Sequence, residues 1–222
     1  MGRARDIANL IGGATPDIIL KTSDGAILNL QTSDTTVTAD SVLGAINFQA
    51  PDEGTGTDAI LVAAGIEAVS EGDFSSSSNA TKLSFKTGAS ETETEKMSIA
   101  STGATTITTS GNEDTLSLIS TDADSNSGPN LRLYRNSASP ADDDFLGTID
   151  FEGRNDNSED FLAARIFTFT PDVSDGSEDA QLQLSMMKAG TTHLAIEIKP
   201  EEFVINQSSV DMDFRVESNG QT

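Results

Sequence analysis

From Ile18 onward, apolar and polar residues alternate with a period of two, the mark of strands that turn one face to a core. "DIILKTSDGAILNLQTSD" reads as strand, Ser-Asp-Gly turn, strand. In "VLGAINFQAP", Val42, Gly44, Ile46 and Phe48 alternate with Leu43, Ala45, Asn47 and Gln49. "PDEGTGTD" and "EGDFSSSSNA" are loops. "TKLSFKTG" and "KMSIASTG" are strands joined by the polar "SETETE". Only "AILVAAGIEAV" fits a short helix as well as a buried strand.

The second half keeps this order. "TLSLISTD" matches "ILNLQTSD", setting Leu116 against Leu28. "FLGTIDFEG" matches "VLGAINFQA", setting Leu146 against Leu43. "DFLAARIFTF" matches "DAILVAAGIE". "QLQLS" matches "KLSFK", with Leu182 against Leu83, and "HLAIEI" matches "KMSIAS", with Leu194 against Met97. Matching elements in one order predict an internal repeat. "FLAARIFTFT" is rich in β-branched and aromatic residues, so its counterpart at Ala59 to Val69 is predicted to be a strand too. "DFRVESNG" resembles "LNLQTSDG" and reads as the start of a further module, with the expectation that the chain continues past Thr222.

The predicted fold is all-β, with under roughly a tenth of residues in α-helix against a usual third. The predicted divisions are a docking segment, 1–17, and a first β-module with a leading hairpin, 18–109. A second β-module covers 110–208, and 209–222 starts a further module or a C-terminal extension.

Composition changes this picture in one way. Of 222 residues, 36% are hydrophobic and 5% aromatic, with one Tyr and no Trp. Globular domains reach roughly 45–50% apolar. The deficit predicts thinly cored modules, or a chain that completes its core against copies of itself. The net charge of −23 repels nucleic-acid phosphates and anionic membranes. No apolar run approaches the ~20 residues of a membrane span. The absence of cysteine excludes disulfides and thiolate metal sites.

Residues 1–17 stand apart. Arg3 and Arg5 are two of only 13 basic residues. Ile7, Leu10 and Ile11 have helical spacing, and Gly12-Gly13 would end the helix. Such a helix is too short to stand alone. It reads as a frayed terminus or as a peptide that folds on a partner.

Candidate chemistry is sparse. "GTGTDA", Gly54 to Ala59, fits a dinucleotide-binding turn, but Pro51 and two acids precede it and no βαβ series follows. Asp122, Asp124 and Asn126 begin like a calcium loop, yet glycine comes one position late, at Gly128, and Leu133 stands where Glu is required. "ADDDF" and "NDNSEDF" read as solvated edge charges, with a hard-cation site as the sharper alternative. His193 is the only histidine, and no nucleophile elbow accompanies it. Three copies about an axis would be needed to gather three imidazoles. Carboxylates for a glycosidase pair are abundant, but stacking platforms for a sugar are not. No catalytic residue, metal ligand set or cofactor is assigned.

The sequence "GTIDFEG", then "FLAARI", "DGSEDAQLQLSM", "HLAIEI" and "DMDFRVES", resembles the repeated β-modules of marine bacteriophage tail fibres and related virion proteins, over about residues 40–222. The resemblance implies an extended homotrimeric fibre on the virion, fixed by its N-terminus to a tail adaptor, tail tube or other virion protein. Host-receptor recognition would lie farther toward the C-terminus. On that reading, elongated repeats, sandwich-like or interlocked, lengthen a virion-proximal rod. Arg3, Arg5, Ile7, Leu10 and Ile11 then form the anchor. The alternatives are a capsid-associated or head-fibre decoration protein, and a tailspike depolymerase acting on host surface polysaccharide.

Overall fold

The computed structural model describes residues 20, 21, 23–50, 54, 56–211 and 215. The chain divides into two units, Met1–Ser117 and Leu118–Thr222. The first holds β1 (Val42–Gln49), β2 (Val62–Ser70), β3 (Thr81–Thr87), β4 (Thr94–Ile99) and β5 (Thr105–Ile107). The second holds β6 (Asp144–Arg154), β7 (Asp160–Asp172), β8 (Asp179–Lys188), β9 (Thr191–Ile198) and β10 (Phe203–Ile205). Each unit has one five-stranded sheet in meander order, every strand antiparallel to its sequence neighbour. Among the described residues there is no α-helix, only a 3₁₀ turn at Asp58–Ile60. The ambiguous "AILVAAGIEAV" is therefore strand from Val62 on.

The two sheets share three register shifts as well as their order, while a fourth, between Phe169 and Asp172 in β7/β8, belongs to the second sheet alone. The β1/β2 ladder shifts register between Val42 and Gly44 and again between Phe48 and Gln49. The β6/β7 ladder shifts between Phe145 and Gly147 and between Phe151 and Glu152. A third shift falls after Phe85 in β3/β4 and after Leu184 in β8/β9. Bulges inserted at matching places fix which residues share a face, because a one-residue slip would turn each strand over. Each sheet also begins alike. Asp40 and Asp143 take the left-handed conformation, at φ 65° each. Short polar side chains tolerate that region better than most. The Asp40 N–H then donates to the Ser70 carbonyl at 3.0 Å, and the Asp143 N–H donates to the Thr170 carbonyl at 2.7 Å.

No leading hairpin is seen among the described residues: those from 23 to 40 contain no strand, and neither does the stretch Thr115 to Asp122. The first stretch alternates because one side of it lies over a sheet. Leu30 sits above Gly44, so close that a β-carbon on Gly44 would come within 2.6 Å of the Leu30 Cβ. Leu133 sits above Gly147, where the matching distance is 3.0 Å. By position, then, the partner of Leu28 is Leu131 and not Leu116. The confusion arises because Leu-x-Leu occurs at both places. Likewise Met97 corresponds to Ile196, since Phe85 faces Met97 as Leu184 faces Ile196. Residues 212–214 and 216–222, where a further module was expected to begin, lie outside the described residues.

Glycine is required where each arm crosses. Gly44→Ala is expected to lower stability by about 1–3 kcal/mol, the usual effect of overpacking. Gly147→Ala is expected to cost less, because its clash is milder. Denaturant midpoints of the two variants check the order.

Candidate assembly interface

Residues directly opposite in an antiparallel ladder share a face. In the first sheet Ile46 faces Ile66, and Ile66 faces Phe85, which faces Met97 and then Ile107. In the second sheet Ile149 faces Ile166, then Leu184, Ile196 and Ile205. Each row crosses its whole sheet and is apolar. Each sheet is a single layer within its unit, so the row has little to pack against. Phe48 is 55% exposed and Phe151 is 52% exposed. Among the described hydrophobic residues only Val69 and Ala195 are buried.

The opposite faces are polar and internally paired. Lys86 meets Glu67 at 2.5 Å and Lys82 meets Glu95 at 2.8 Å across β2/β3 and toward β4. On the second sheet Arg165 grips Asp150 with two bonds, 2.6 and 2.9 Å long. Gln183 donates to Glu197 at 2.6 Å, and Lys199 pairs with the same carboxylate at 2.9 Å. Hydrogen bonding to Lys82 holds the Glu95 carboxyl below its ordinary range and raises Lys82. Hydrogen bonding to Arg165 likewise lowers Asp150. This second face also carries a small aromatic group. The Phe145 ring lies 5.7 Å from Phe167 and 5.8 Å from Phe169.

The candidate chemistry resolves into turn construction. The 3₁₀ turn Asp58–Ile60 takes in the last two residues of "GTGTDA", and β2 follows it where a dinucleotide site would need a helix. Asp124 caps its own turn, accepting from the Asn126 N–H at 2.8 Å and from the Asn126 side chain at 3.1 Å. That bonding lowers its pKa. Asp142 accepts from the Val173 N–H at 3.1 Å, and Asp144 pairs with Arg135 at 2.9 Å. Asn155 accepts from two backbone N–H groups of the β6/β7 hairpin, and Arg154 pairs with Asp160 beside it. His193 is half-buried on β9 opposite Met186. Among the described residues no three His, Asp or Glu side chains are grouped to hold a metal ion. Arg3, Arg5, Ile7, Leu10 and Ile11 lie outside the described residues.

The structure is similar to the carboxy-terminal domain of the bacteriophage T5 L-shaped tail fibre, with a TM-score of 0.60 and 11% identity, over 92% of this chain and 94% of that one. The fold is that of a phage tail-fibre domain. The same T5 domain with its intra-molecular chaperone domain also matches, with a TM-score of 0.54 and 12% identity, over 93% of this chain and 68% of that one. No protein-family model matches the sequence, and no curated protein does. The tail-fibre likeness read from the sequence is thus carried by the fold. What the sequence reading missed is the pair of arms that cross at Gly44 and Gly147. Their signal was present, since Leu30 precedes Gly44 by the same interval that separates Leu133 from Gly147.

The ion pairs set a pH dependence. Glu95 and Asp150 have lowered values, so their contribution is complete above the ordinary carboxylate range and is lost as pH falls through the depressed values. Stability is expected to decline below about pH 4. Glu95→Gln and Asp150→Asn should each flatten that decline, read as the denaturant midpoint between about pH 2 and 5.

Proposed function

We propose that this chain is a structural, non-enzymatic part of a bacteriophage tail fibre, located in the virion tail. The observation that carries the reading is the match of its fold, over 92% of its length, to a tail-fibre domain. The reading includes a homotrimer. The exposed apolar rows support self-association, since within each unit they lie open to water. It also includes duplication. Two sheets of one strand order, with register shifts at matching places, support a first module over 18–109 and a second over 110–208. Neither nucleic acid nor membrane insertion belongs to the reading. The net charge of −23 opposes the first, and no described helix is long and apolar enough to cross a membrane.

In the finer reading the chain is virion-proximal. Arg3 and Arg5 meet an acidic surface of a tail adaptor, tail tube or other virion protein, while Ile7, Leu10 and Ile11 fill a groove on it. A host receptor would then be met by a more distal part of the fibre. One observation favours a second placement: the matching T5 domain is carboxy-terminal in its own fibre. There this chain would stand at the receptor end. Gold labelling of a tagged chain on intact particles, viewed by electron microscopy, separates the two placements. Label on the capsid would overturn both and favour a head fibre.

Two outcomes are expected. Native mass measurement should give three copies, and a folded monomer at low concentration would exclude the trimer. Deleting residues 1–17 should abolish recovery of virion partners while the far-UV circular dichroism stays β-rich. Equal recovery with and without the segment would end the anchor assignment.

A further inference from the structure

Gly65 stands buried in the middle of β2, on the face that carries the ion pairs. Its φ is not positive, so the glycine supplies room and not an unusual backbone. A mid-strand glycine of this kind marks a close approach. What approaches is oxygen. Asn47 Oδ1, the Ile46 carbonyl oxygen and Glu93 Oε1 lie 3.3, 3.4 and 3.6 Å from the point that a β-carbon on Gly65 would occupy. Backbone bonds bring Glu93 there. Its N–H donates to the Val62 carbonyl at 3.0 Å, and the Gly88 N–H donates to the Ala63 carbonyl at 2.8 Å, so the β3/β4 turn folds back on β2. The second oxygen of that carboxylate, Oε2, is shut off from solvent and has no hydrogen-bond donor among the described residues. Such a group is costly to leave unmatched. The cation opposite Gly65 in register, Lys86, is held by Glu67 at 2.5 Å.

The second unit shows the same position with a cation of its own. Counted from the matching bulges, Asn47 corresponds to Asp150 and Gly65 to Arg165. There the Arg165 guanidinium grips Asp150 with two bonds. The first unit has the acceptors without the arginine. We propose that the first unit binds a calcium ion over Gly65, held by Glu93 through both carboxylate oxygens, by Asn47 Oδ1 and by the Ile46 carbonyl, with water completing the shell. The donors decide the ligand class. All are oxygens, which suit a hard cation. The Ile46 carbonyl has a second lone pair to give, whatever its part in the ladder. Calcium takes about six to eight oxygens in flexible geometry and accepts carboxylate, amide and carbonyl together, whereas magnesium demands a near-ideal octahedron and gives up its water reluctantly. One carboxylate makes a weak site, with a dissociation constant of about 10⁻⁴–10⁻³ M, the range of extracellular modules. The net charge of −23 raises the cation concentration around it.

The test compares calcium with magnesium at equal millimolar concentration, because both screen the chain's negative charge alike. The full chain is first treated with chelator, and its denaturant midpoint is read by far-UV circular dichroism. An ion that binds the folded state alone raises that midpoint. Calcium should raise it beyond magnesium in the unaltered chain. The excess should vanish in Glu93→Gln. It should also vanish in the double variant Asn47→Asp, Gly65→Arg, which installs the second unit's pair and so carries its own cation. Glu91→Gln, an exposed acid in the same turn, should keep it. Asn47→Ala repeats the measurement if Glu93→Gln does not fold. Equal midpoints in calcium and magnesium for the unaltered chain would overturn the site. A calcium excess that survives Glu93→Gln or Asn47→Ala would overturn it too, since the ion would then be bound elsewhere.

Discussion

The constraint behind this structure is an apolar sheet face that its own unit leaves largely open. A β-sheet with one apolar face needs a second layer, normally a helix or another sheet. Among the described residues each unit supplies one sheet and no α-helix, and what the unit lays across its sheet is a narrow arm at Gly44 or Gly147. The scarcity of aromatic residues fits this, because a single thin layer has little depth to fill. The high charge fits too: with the apolar surface confined to one face, the remainder can be strongly acidic.

Much of the fold was legible because its signal is local. Period-two alternation located β1, β3, β4 and the long strands of the second unit, comparison with β7 placed β2, and the short β5 and β10 went unmarked; Gly-x-Ile-x-Phe runs stand at both Gly44 and Gly147. The failures share a physical cause. Alternation reports that a segment has two unlike sides and says nothing about backbone pairing. Residues 26–34 satisfy the pattern by lying over a sheet, not by joining one. Bulges were also invisible. The displaced pairing of Met97 and Ile196 depends on residues 96 and 195 bulging out of the ladder, and no side-chain pattern marks that displacement.

The open apolar face was legible only as a deficit. Low apolar content suggested that copies were needed, but the face emerges only when the register places Ile46, Ile66 and Phe85 in one row. Composition cannot distinguish a chain with too little core from one whose core is exposed. The acidic clusters show the converse. Asp124, Asp142 and Asn155 looked like ligands because carboxylates and amides serve metals and turns equally well. Their bonds to nearby N–H groups show them shaping turns.

The meander order of both sheets has a kinetic consequence. Every strand pairs with its sequence neighbour, so each sheet can zip from hairpins without waiting for distant segments to meet. Were copies to cover the faces, as proposed, that step would need encounters between chains and would depend on concentration, so it would follow the chain-autonomous pairing of strands.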